Sequence, residues 1–207
     1  MSSTDLMGFG HIRRIQEVRF PYEIAVILPG EYFVSKKPMV VYALLGGSIS
    51  VCLRDPFVNV GGMNHFMLGM PTSDGGQDSW ADSGRYGSFA MEMLIDDIVK
   101  LGGRKDRLEA KVFGGGKIDD GAMDIGAKNA AWALDYLERQ SVPILKANVG
   151  DVCPRKVYFF TDSGKVLLKK LDGVVAKAIA EEEGQYRRKL QYAPMHSEVR
   201  SFSTKLL

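Results

Sequence analysis

The sequence is poor in the residues from which covalent or metal-based scaffolds are made. Its two cysteines, Cys52 and Cys153, close one internal bridge at most, which excludes a disulfide framework. Its three histidines, His11, His65 and His196, stand at no metal-ligand spacing with each other or with the cysteines, so no zinc site is expected. Long apolar runs are missing too: the longest, Met39 to Leu45, has the length of a strand and not of a membrane span. The polar start, Met1 to Asp5, is followed by no apolar segment of the kind a secretory signal carries. Neither sign of charge dominates, and a formal charge of +2 gives no reason to expect a nucleic acid or an acidic membrane as partner. These absences lead to the expectation of a cytoplasmic protein that is not membrane-inserted. The Gly114-Gly115-Gly116-Lys117 stretch lacks the spacing of a phosphate loop, because Ile118 follows the lysine; it reads as a flexible turn. Asp119-Asp120 and Glu181-Glu182-Glu183 read as solvated charge, and Met63, Met67 and Met70 as packing.

What is present is an ordinary globular composition, 45% hydrophobic and 25% charged over 207 residues, enough for one domain with a sizeable core. Residues 1–20 form a polar lead-in of doubtful order. Short strands are expected at Glu31 to Val34, Met39 to Leu45 and Ser48 to Leu53. The last alternates, with Ile49, Val51 and Leu53 on one face and Ser48, Ser50 and Cys52 on the other. Gly46-Gly47 between two of these runs has the composition of a tight hairpin turn. Another strand, Met63 to Leu68, carries His65. Residues 71–83 read as a loop, with Ser83 capping a helix from Arg85 to Leu101. A strand at Leu108 to Phe113, a helix from Ala127 to Arg139 and a strand at Pro143 to Ala147 follow. Asp162-Ser163-Gly164 joins Lys156 to Thr161 with Lys165 to Leu171 as a second hairpin. A polar helix interrupted by Gly184 spans Val174 to Leu190, before a tail. The fold class is α+β: a single layered α/β sandwich with mostly antiparallel, hairpin-paired strands and two main packing helices. The organisation expected is a lead-in (1–20), one domain (21–171) and a C-terminal helical extension and tail (172–207).

Ser48 and His65 are the pair on which chemistry could rest. A hydroxyl beside a glycine turn is accessible, successive N–H groups there can cradle an oxyanion, and a histidine on a neighbouring strand can serve as base. On spacing alone, a Ser and a His on adjacent strands arise by chance constantly.

A resemblance adds more. Leu28-Pro29-Gly30-Glu31-Tyr32, Gly61-Gly62-Met63-Asn64-His65-Phe66-Met67-Leu68 and Arg85-Tyr86 occur in the order of CheD chemotaxis proteins. Arg107-Leu108-Glu109-Ala110-Lys111-Val112-Phe113-Gly114-Gly115, then Arg155-Lys156-Val157-Tyr158-Phe159-Phe160 with Ser163-Gly164-Lys165-Val166, complete the series. The likeness covers residues 28–171. It implies a glutamine deamidase, cofactor-free, that converts glutamines on the cytoplasmic helices of methyl-accepting chemoreceptors to glutamate through a cysteine nucleophile, a histidine and a threonine. It further implies binding to a CheC-like phosphatase.

The sequence departs from that pattern at the nucleophile. The family's Leu-Gly-Ser-Cys aligns with Leu45-Gly46-Gly47-Ser48, and the histidine motif keeps its register 17 residues further on. The threonine position falls on Ala43 or Tyr42, and Gly150-Asp151-Val152-Cys153-Pro154 differs from the usual glycine-rich loop. Cys52 lies on the face of Ser48 but roughly 13 Å along the strand, too far to replace it, and reads as core. The resemblance implies Ser48 and His65 as the catalytic residues of a deamidase. The alternatives are a CheD-like regulatory protein that binds receptors or the phosphatase without catalysis, and, more remotely, a serine hydrolase for another amide or ester.

Overall fold

In a computed structural model, the residues described are 8–68, 79–117 and 124–192, without the side chains of 79–85, 173–174, 187 and 189–192. Asp119-Asp120, Met70, His196, most of the loop expected at 71–83 and the tail lie outside them. Among the described residues, ten strands form two five-stranded sheets. The first sheet has the order β1-β2-β4-β9-β10, from β1 (Arg13–Ile15), β2 (Ile24–Val26), β4 (Val40–Leu45), β9 (Arg155–Phe160) and β10 (Val166–Lys170). The second has the order β3-β6-β5-β7-β8, from β3 (Tyr32–Ser35), β6 (Val60–Asn64), β5 (Ile49–Asp55), β7 (Glu109–Gly114) and β8 (Ile144–Val149). Pairing is antiparallel except for β2 with β4 and β7 with β8. Helices α1 (Ser79–Lys100) and α2 (Ile125–Arg139) pack on the second sheet, and α3 (Gly173–Tyr192) follows β10.

The layering follows from burial. Val41, Ala43, Leu45, Val157 and Phe159 of the first sheet share one core with Val51, Leu53, Met63, Ala110 and Val112 of the second. Met91, Leu94 and Ile98 of α1 and Ala130, Ala133 and Leu137 of α2 belong to the same core. Both helices therefore bury a stripe at helical spacing, as an amphipathic helix on a sheet must. The second sheet is sandwiched, so β5 is buried on both faces from Ile49 to Leu53 although its sequence alternates. Cys52, on the face away from Val51, is core; its burial pushes the thiol far above its ordinary value.

Five local expectations change, the first being the strand expected at Met63 to Leu68: it runs instead from Val60 to Asn64 and leaves His65 just past its end. Gly46-Gly47 does not close a hairpin: β4 and β5 belong to different sheets, and the two glycines carry the chain from one to the other. A hairpin would have left β5 with one solvated face, whereas entry into the second sheet buries both. Helix α1 starts earlier than expected, with Ser83 inside it rather than at its cap, and α3 runs through Gly184 without a break. Within the first twenty residues, β1 pairs with β2 and Phe9 is buried against the rings of Tyr32 and Phe33, at 5.3 and 5.0 Å. Among the described residues no helix is long and apolar enough to cross a membrane.

Candidate active site

The sheet-to-sheet crossing at Gly46-Gly47 delivers Ser48 to the start of β5, and the chain leaving β6 delivers His65 beside it. An isolated bridge between Ile49 and Phe66 ties the two segments, with reciprocal backbone hydrogen bonds of 2.9 Å. Ser48 Oγ and His65 Nε2 are 2.8 Å apart. The other ring nitrogen, Nδ1, faces the Ile27 carbonyl at 3.4 Å. A carbonyl only accepts, so the ring proton belongs on Nδ1 and Nε2 keeps its lone pair toward Ser48. The backbone of His65 is fixed on both sides: its N–H donates to the Glu31 carbonyl at 2.8 Å, and its carbonyl accepts from Gly30 N–H at 2.7 Å. Burial lowers the His65 pKa to about 4, because the imidazolium would be stripped of water. Near neutrality the ring is thus a neutral base rather than an acid.

The backbone N–H groups of Gly46, Gly47 and Ser48 converge on one carboxylate, that of Glu183 in α3. Glu183 Oε1 accepts from Gly46 N–H at 2.9 Å and Ser48 N–H at 3.2 Å, and Oε2 accepts from Gly47 N–H at 2.8 Å. The Ser48 hydroxyl is also in short contact with Oε1, so its one proton goes either to Oε1 or to His65 Nε2. Three successive donors around one anion form a nest, the arrangement that holds oxyanions in acyl transfer. Glu183 is 5% exposed; burial raises its pKa against the four donors, which act to lower it.

Two further groups hold the nest in shape. Asn129 on α2 is fully buried; its amide donates to the Gly47 carbonyl at 2.7 Å and its oxygen accepts from Leu68 N–H at 3.0 Å. One side chain thereby fixes both the crossing loop and the segment after His65. The triple glycine lines the opposite wall: Gly115 N–H donates to Ser48 O and Gly116 N–H to Gly46 O, each at 2.7 Å. Gly114 has φ 117°, and a Cβ there would run into the Ser48 carbonyl, so this stretch is a fitted wall rather than a flexible turn. Behind it, the fully buried Arg155 holds residues 148–153, donating to Asn148 O at 2.6 Å, Asn148 Oδ1 at 3.0 Å and the Gly150 carbonyl.

Of the two candidates for the family threonine, Ala43 faces the core opposite Val157, while Tyr42 lines the same cavity as His65 and Glu183 and packs on Tyr158 at 4.8 Å between ring centroids. Asn129 and Glu183 escaped the sequence reading. A lone Asn on a helix carries no spacing signal. Glu183 does: with Ala176, Ile179 and Tyr186 it falls on one stripe of α3, so a helical phase would have separated it from Glu181 and Glu182, which are exposed. No group of three or more His, Cys, Asp or Glu side chains able to hold a metal occurs among the described residues.

The family model described as CheD chemotactic sensory transduction matches residues 67–170, a stretch that begins just beyond His65. Curated relatives extend the likeness over Ser48 and His65. A protein of Dechloromonas aromatica named "Probable chemoreceptor glutamine deamidase CheD 1" is 43% identical over 186 residues, covering 89% of this chain and 91% of its own. A Shewanella oneidensis protein of the same name is 40% identical over 192 residues, with 91% and 92% covered. A "Probable chemoreceptor glutamine deamidase CheD" of Herminiimonas arsenicoxydans is 43% identical over 187 residues, covering 89% and 91%.

Proposed function

The chain belongs to the CheD family, and we propose that it is a chemoreceptor glutamine deamidase in which Ser48 is the nucleophile and His65 the base. The observation that carries this reading is the 2.8 Å approach of Ser48 Oγ to His65 Nε2 beside the three converging N–H groups of residues 46–48. Nucleophile and base are thus in hydrogen-bond contact, and the nucleophile shares one carboxylate with the three N–H groups of the oxyanion seat.

The chemistry follows from these positions. Ser48 Oγ attacks the side-chain amide carbon of a substrate glutamine as its proton passes to His65 Nε2. The carbonyl oxygen becomes an oxyanion held by the backbone N–H groups; removing one such donor costs an enzyme about 10²–10³ in kcat. The tetrahedral adduct collapses, the C–N bond breaks, and the nitrogen takes the proton from His65 and leaves as ammonia. Water then attacks the ester, giving its proton to His65, and glutamate departs as Ser48 regains its hydrogen. A serine is a weaker nucleophile than a thiolate, so the step depends on His65 more than it would with cysteine. The neutral, Nδ1-protonated ring supports that role.

The test is ammonia release and glutamine-to-glutamate conversion in a chemoreceptor cytoplasmic fragment, for the native chain and for Ser48→Ala, Ser48→Cys and His65→Ala. Conversion by the native chain should fall at least about 10²-fold in His65→Ala and vanish in Ser48→Ala. A native chain and a Glu183→Ala variant that both bind the fragment and convert nothing would leave a docking protein and remove the enzyme reading.

A further inference from the structure

Glu183 sits where a reacting side chain would have to sit. Ser48 is fully buried and His65 is 2% exposed, and the carboxylate that covers them comes from the chain's own third helix. An attacked carbonyl must lie about 3 Å from Ser48 Oγ with its oxygen on the nest; Glu183 Oε1 occupies that seat. The serine hydroxyl has one proton, and while it donates to Glu183 it cannot hand that proton to His65. A docked α3 therefore blocks the site twice, by filling the oxyanion seat and by diverting the nucleophile's proton.

We propose that α3 is an autoinhibitory segment: its Glu183 carboxylate fills the nest as an intramolecular stand-in for the glutamate product, and the site opens to a glutamine-bearing partner only when the helix lifts away. The product analogy rests on the deamidase reading, whereas the occlusion does not. The seating of α3 suits a part that moves. Ala176 and Ile179 are its buried apolar side chains among those described, while Lys177, Glu181 and Glu182 are exposed. A space of about 140 Å³ remains between the helix and the first sheet, bounded by Val26, Tyr42, His65 and Ile179. Tyr186, one turn beyond Glu183, closes over Gly30, the residue whose N–H holds the His65 carbonyl. The same helix face thus covers both halves of the catalytic pair.

Accessibility can be read without turnover. In the full-length Ser48→Cys variant, the new thiol is alkylated with iodoacetamide and followed by peptide mass mapping, with half-buried Cys153 in the same sample as internal standard. Adding Glu183→Ala, or separately Ile179→Ser, should speed alkylation at position 48 by about tenfold or more, with Cys153 unchanged and circular dichroism native. Ile179→Ser keeps the carboxylate, so it distinguishes release of the helix from a change in thiol acidity. Equal rates in all three proteins would overturn the proposal, as would acceleration by Glu183→Ala alone. Deamidation assays on the Glu183→Ala and Ile179→Ser single variants separate the two readings. Faster alkylation without conversion in any variant leaves the plug and removes the deamidase. Conversion with uniform alkylation keeps the deamidase and removes the plug.

Discussion

Two glycine-containing turns of this chain look alike in sequence and do opposite things. Asp162-Ser163-Gly164 joins neighbouring strands β9 and β10 of one sheet, and its backbone N–H donors are used up within the hairpin: Phe160 N–H donates to Lys165 O and Gly164 N–H to Phe160 O, each at 2.9 Å, while the Asp162 and Gly164 carbonyls accept from Arg54 and Lys111. Gly46-Gly47 joins β4 and β5, which lie in different sheets, so the pairing a hairpin would impose never forms. Its N–H groups, with that of Ser48, are left for a side-chain anion. A binding nest arises where the fold leaves backbone donors unused, and the cost of leaving them bare is what makes them grip an anion.

That contrast can be broken from either side. Gly114→Ala should have the largest effect, because the new Cβ meets the Ser48 carbonyl at a positive φ that alanine resists. Unfolding in urea should show a loss of at least about 3 kcal/mol, with any turnover abolished. Asn129→Ala should come next. It strands the Gly47 carbonyl and the Leu68 N–H, for about 2 kcal/mol of stability. Its kcat should fall about ten- to a hundredfold with KM little changed, since a misplaced nest weakens the transition state more than binding. Gly164→Ala should be the smallest, about 1–2 kcal/mol for a left-handed residue at φ 68°, read as a lower melting temperature. Its deamidation rate should match the native chain, because the turn's outside partners, Arg54, Lys111 and Tyr22, are not those of Ser48 or His65.

Where residues talk to near neighbours, the sequence was legible. The β9–β10 hairpin, the core stripes of α1 and α2 and the placement of Cys52 in the core follow from alternation, helical spacing and turn chemistry. The pairing of Ser48 with His65 was legible through the likeness of motifs, in the register the structure keeps. The sheet switch at Gly46-Gly47 was not, since two glycines suit a hairpin and a crossing equally and only the burial of both faces of β5 decides. Asn129 was hidden because its two partners are 82 and 61 residues away. Glu183 was hidden by company: in a run of three glutamates, composition says solvated, while helical phase turns one of the three inward.

The connection between β10 and α3 is only residues 171–172. A ligand on so short a leash behaves as if present at very high concentration, in the millimolar range or above for short tethers. A free glutamine peptide at micromolar levels would compete poorly with it, however well it fitted. Crowded partners, presenting many copies of a suitable helix side by side, would compete far better. Under the plug reading, activity on a densely packed array would then exceed activity on the same segment in dilute solution, through mass action alone.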